Sequence, residues 1–222
     1  MRINRILTKR TSGAFTLIEM IGVLSVIAIL ASVLVPKVFN AIANARASNA
    51  AMSVNAIKSG IADHYSKYGS IAWNGALSTP GPITVPGLGL GAYSNYDQVL
   101  VAENILDKPF QTKLGTGTPA TDVYLLTAPS TNGGAVTASA LTATVPGDAY
   151  FDLGGVGSNS ISGTVVAVAV IQGCTLEDAR NLNGIIDGPS MGESSTGYDI
   201  LGRVKYNMGS GPGTVYVYLT HR

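Results

Sequence analysis

The chain has a single cysteine, Cys174, so no internal disulfide can form in any redox compartment. That thiol reads as a small buried group, with an intermolecular bond as the alternative. The only histidines are His64 and His221, and two distant imidazoles with one thiol exclude an ordinary zinc site. Charge is sparse: Asp, Glu, Lys and Arg make up 12% of 222 residues, and the net charge is +1. Four of the fourteen basic residues, Arg2, Arg5, Lys9 and Arg10, lie at the very start; beyond them ten Lys/Arg face thirteen Asp/Glu, a balance of −3. That leaves no basic footprint for nucleic acid, and none is expected as a partner.

The most telling scarcity is local. Met20 to Val35 (MIGVLSVIAILASVLV) contains no charged residue, and the apolar stretch from Ala14 to Val35 is broken only by Glu19. A helix needs about 20 residues at about 1.5 Å each to cross a bilayer, and this stretch supplies them. The preceding MRINRILTKRTSG has four cations and no acid, which holds that flank on the cytoplasmic side. One carboxylate inside such a segment is costly unless paired, so Glu19 marks function. A secretory signal cut near Ala41-Ile42-Ala43 is one reading, and a plain uncut anchor is another. Neither accounts for an acid so near the start.

The stretch Gly13-Ala14-Phe15-Thr16-Leu17-Ile18-Glu19 resembles the cleavage and methylation signal of type IV prepilins and type II secretion pseudopilins. The resemblance implies that a prepilin peptidase removes a basic leader, residues 1–14, and that the new N-terminal Phe15 is N-methylated. A cut between Ala14 and Phe15 places Glu19 fifth in the mature chain, in the family's register, and Pro36 where these proteins often carry a helix-kinking proline. The family usually has Gly directly before the cut, whereas here Ala14 intervenes. A cut after Gly13 would put Glu19 sixth, so Ala14/Phe15 is favoured. The resemblance further implies that the Phe15 amine of one subunit meets Glu19 of its neighbour during assembly. In the apolar layer each charge then offsets the other's cost. Phe15, Glu19 and Pro36 are therefore the expected assembly residues, and Gly13, Ala14 and Phe15 the processing residues.

Beyond Pro36 the helical period continues. Val38, Ile42, Ala45, Asn49 and Met52 form one stripe, and Val54, Ile57, Ile61, Tyr65 and Tyr68 an adjacent one. A helix from Phe15 to Tyr68 is expected, bent at Pro36 and ended by Gly69. Ser70 to Ala92, with three prolines and five glycines, reads as a loop. Ser94 is expected to cap a short helix through Val99, Leu100, Val101 and Leu106, closed by Pro109. Val123–Leu126 and Thr164–Ile171 read as strands, with Ala149–Leu153 a weaker candidate. Gly134–Val145 reads as a hairpin or flexible loop. Thr175-Leu176-Glu177-Asp178 reads as a capping box opening a helix to Ile186, with a break near Asn183-Gly184. Gly202–Asn207 and Thr214–Thr220 form a terminal hairpin, one face of the sheet lying on the helix. The expected fold is α+β, a long N-terminal helix packed on a C-terminal antiparallel sheet. Its parts are the leader 1–14, a transmembrane half 15–36, an amphipathic half 37–69 and a β-rich head 70–222.

Little in the sequence points to chemistry. Gly188-Pro189-Ser190-Met191-Gly192 fits G-x-S-x-G, but a nucleophile elbow needs a strand-to-helix turn and a histidine in reach. Gly87-Leu88-Gly89-Leu90-Gly91 lacks the spacing of a dinucleotide turn. Asp187, Glu193 and Asp199 are weak calcium candidates by ligand type, in a spacing that matches no EF-hand. No cofactor is otherwise expected. The expected function is a structural, non-enzymatic filament subunit, favoured as a type II secretion pseudopilin because a cysteine pair is lacking. A surface pilin for adhesion, motility or DNA uptake is the alternative, and an anchored or secreted enzyme the rival of another class. The implied partners are further copies, other pilin-like subunits, prepilin peptidase, a platform protein, an assembly ATPase and the membrane. The implied location is the bacterial inner membrane, as a single-pass protein, and then the periplasm or cell surface.

Overall fold

The computed structural model describes residues 15–71, 93, 95–115, 121–136, 149–163, 165–188, 191, 197–209 and 211–222. The elements, in order, are α1 (Leu17–Tyr68), α2 (Tyr96–Ala102), β1 (Thr121–Thr127), β2 (Val165–Cys174), α3 (Leu176–Ile186), β3 (Tyr198–Asp199), β4 (Val204–Asn207) and β5 (Gly213–His221). A long N-terminal apolar helix and a C-terminal antiparallel five-stranded sheet make this an α+β protein, as expected. The chain divides into two compact units, residues 1–41 and 42–222. Expectations for 1–14, 72–92, 94, 116–120, 137–148, 164, 189–190, 192–196 and 210, including most of the loop after Ser70 and of Gly134–Val145, lie outside the described residues.

The sheet order is β1-β2-β5-β4-β3, every neighbour antiparallel. β2 is central because its run of Val, Ala and Ile has no polar side to show to water. Val165, Ala167, Ala169 and Ile171 point into one core, Val166, Val168 and Val170 into another. The first core takes Val54, Ile57 and Ile61 from α1, Val99 and Leu100 from α2, and Ala179 and Leu182 from α3. The second is roofed by Ala149, Phe151 and Ile161. The sheet is therefore covered on both faces, where one helix-covered face was expected. Lys205, fully buried, follows from this roof. Its Nζ donates to the Tyr150 carbonyl at 2.7 Å and lies 4.3 Å from the centre of the Phe151 ring.

Several local expectations need correcting. The buried stripe of α1 is Val54, Ile57 and Ile61; Val38, Ile42 and Met52, on the other stripe, stay exposed. The N-cap of α2 is Asn95 rather than Ser94, and α2 ends at Ala102, short of Leu106 and Pro109. Asn95 gives its amide to Asp122 instead of capping, while Asp97 accepts from the Phe110 amide at 3.0 Å. The Thr175 capping box forms as read, with Asp178 as its partner, but α3 runs unbroken through Asn183-Gly184. Ala149–Leu153 forms no sheet strand: only Asp152 makes an isolated bridge, to Leu201. β2 extends past Ile171 to Cys174, and Tyr198–Asp199 forms a short edge strand that was not expected.

Candidate functional site

The segment that the rest of the fold leaves uncovered is the first part of α1. α1 is long and apolar enough to cross a membrane, and none of its most apolar stretch is buried within the protein. Phe15 is 82% exposed, and the large side chains from Leu17 to Phe39 all lie in the open. Monomeric soluble proteins rarely show so continuous an apolar surface, so this helix requires an apolar environment outside the subunit.

The polar chemistry of this stretch is concentrated at its first turn. The amide of Thr16 donates to Glu19 Oε2 at 2.8 Å, and the Thr16 hydroxyl donates to the same oxygen at 2.7 Å. The Glu19 amide returns a bond to the Thr16 hydroxyl at 3.3 Å. These reciprocal bonds form a capping box, Thr16-x-x-Glu19. Glu19 Oε1 takes part in none of them. The signal was present in the sequence as T-L-I-E ahead of an apolar run, and reading Glu19 only as an assembly residue passed over it. Pro36 lies inside α1, where its nitrogen has no hydrogen to give to the helix. Ser25 and Ser32 return their hydroxyls to helix carbonyls, Ile21 and Ile29, so neither adds an unpaired polar group to the apolar face. Gly13 and Ala14 lie outside the described residues, so of the three expected processing residues only Phe15 is described.

The other candidates are spoken for or outside the described residues. The Asp187 carboxylate accepts the amides of Arg203 and Val204, each at 2.8 Å, and Arg203 Nε at 3.2 Å. Asp199 accepts from Asn183 at 2.7 Å and from the Leu201 amide at 2.9 Å. Burial, with help from Asp187, pushes the Asp199 carboxyl above the usual range. Glu193 lies outside the described residues, and among the described residues no three His, Cys, Asp or Glu gather to hold a metal ion. His64 pairs with Glu103 at 2.7 Å in a buried contact, and His221 Nδ1 hydrogen-bonds the Tyr218 hydroxyl. Pro189, Ser190 and Gly192 of the G-x-S-x-G stretch are outside the described residues. Cys174 is buried and unbridged, and burial pushes its thiol up to about 12.

No family model, no curated protein and no solved structure matches the chain.

Proposed function

We propose that this chain is a pilin-like structural subunit, inserted by α1, trimmed ahead of Phe15, methylated there and polymerised through its exposed apolar helices. One observation carries the reading: the uncovered, membrane-length apolar stretch of α1, up to Val35, holds a single acid, Glu19, fifth from the Ala14/Phe15 bond. Cleavage at that bond leaves the Thr16 amide intact, so the capping box survives it and the new amine arises one residue before the cap. A neighbour's amine then offsets the cost of the carboxylate in the apolar layer. The lone Cys174 favours the type II secretion pseudopilin over a surface pilin, since many fibre-forming pilins close a loop with a cysteine pair. The function is mechanical rather than catalytic, with prepilin peptidase, a platform protein and an ATPase as the machinery.

Mass spectrometry of the mature N-terminus from the membrane fraction tests this. A chain that starts at methylated Phe15 is the expected result. A start at Asn44 would make the segment an ordinary signal, and an intact Met1 would reduce it to an anchor.

A further inference from the structure

Beside α1, residues Ser53, Ala56 and Ile57 together with the segment from Leu106 to Gln111 enclose an open, mostly apolar cleft of about 210 Å³. A cavity of about 150 Å³ is enough to hold benzene, so the cleft has room for a phenyl ring. The chain offers such a ring in the open: Phe39 of α1 is 65% exposed. Charge adds a second constraint. Arg46 lies seven residues after Phe39, and Asp63 lies seven after Ala56, so each charge shares a helix face with its apolar neighbour. Both charges are exposed, and neither has an ion-pair partner among the described residues, where the pairs are His64–Glu103 and Arg203–Asp187. Sliding one copy of α1 along another by 17 residues sets Phe39 against Ala56 and Arg46 against Asp63 at once. Ile42, also exposed, then meets Ser59 on the same face.

We infer that the cleft is the seat for Phe39 of a second copy, with Arg46 of that copy on Asp63, fixing a parallel stagger of 17 residues between the two α1 helices so joined; the copy whose Phe15 amine meets Glu19, offset by four residues, is a different neighbour in the filament. At about 1.5 Å per residue the offset is about 26 Å. The contact joins two different patches of the chain, so it repeats without closing and builds an open row rather than a pair. The inference rests on the filament reading and adds the register of its helices.

The test uses the full-length chain in cells that assemble it. Arg46→Asp alone and Asp63→Arg alone should each lower the assembled fraction, by about threefold for an exposed ion pair. Arg46→Asp with Asp63→Arg should restore it. Phe39→Ala should lower it without affecting membrane insertion. Arg46→Cys with Asp63→Cys, under mild oxidant, should give a ladder of multimers on a non-reducing gel. Cys174 adds no background, because its buried thiol stays protonated. The inference falls if wild-type filaments form yet the reversal fails to rescue, or if the cysteine pair stays monomeric or stops at a dimer. If the wild-type chain is neither trimmed at Phe15 nor assembled, the filament reading falls and takes this register with it.

Discussion

Replacing Asp187 should separate a structural clamp from a cation ligand. One oxygen, Oδ2, receives the amides of both Arg203 and Val204, while Oδ1 receives Arg203 Nε. Asp187→Ala therefore strands two amides, one of them on Val204, which is fully buried. A buried unsatisfied amide costs about 2 kcal/mol, and the more exposed Arg203 amide and ion pair add about 1, for roughly 3 in all. Asp187→Asn can keep its carbonyl oxygen at the Oδ2 position and lose only the contact to the half-exposed guanidinium, about 1 kcal/mol. For a unit of this size each kcal/mol moves Tm by about 2–4 °C, so Asp187→Ala should fall by about 6–12 °C and Asp187→Asn by about 2–4 °C. Thermal unfolding of the detergent-solubilised protein by circular dichroism, with and without a chelator, reads both. Equal losses for the two variants, together with a Tm that drops on chelation in the parent protein alone, would refute the clamp and make Asp187 a cation ligand.

Two further outcomes follow from the same region and from α2. Gly202 sits at φ +77°, and a Cβ there would come within 2.5 Å of Asp187 Oδ2. Gly202→Ala should therefore cost at least the ~1 kcal/mol of a left-handed residue and also loosen the Arg203 clamp, seen as a Tm drop larger than that of Asp187→Asn. Burial raises the carboxyls of Asp97, Asp122 and Asp199 above their ordinary values. The native state then holds those protons more tightly than the unfolded chain. Stability from these groups is thus greatest below the unfolded value near 3.8 and declines as pH rises through their raised native values. Urea titrations across that acid range should show the decline, and Asp97→Asn should flatten it; an unchanged slope in the variant would contradict the assignment.

What could be read from the chain was what local chemistry decides. The Val-rich run of β2 has no polar face, so it had to be central, and Thr175 and Asp178 lie close enough in sequence to cap α3 without outside help. Phe151 and Ile161 were not legible as a second core. They lie in a stretch of Gly, Ser and Asn with no period, and they are buried only because the far face of β2 and β5 needs a roof. Tyr198–Asp199 is too short to show alternation, and its place depends on the distant contact from Asn183. Ser94 and Asn95 are both good caps by type, and the choice went to Asn95 while its amide went to Asp122. Glu19 was marked by its apolar surroundings, whereas its bond to Thr16 needed attention to spacing rather than hydropathy.

The place of β5 sets an order of events. It is the last strand in sequence yet lies between β2 and β4, bonded along both edges. Until it arrives, β2 has β1 on one side only, and β4 has no central partner. A chain made from its N-terminus must therefore hold an incomplete sheet, with the Val side chains of β2 part-covered, until the final residues are available. Closing β2 onto β5 spans a long loop, and such distant pairing is slow. The apolar length of α1 depends on no such closure and is ready much earlier. In this protein the helix can find its surroundings while the sheet is still waiting for its middle.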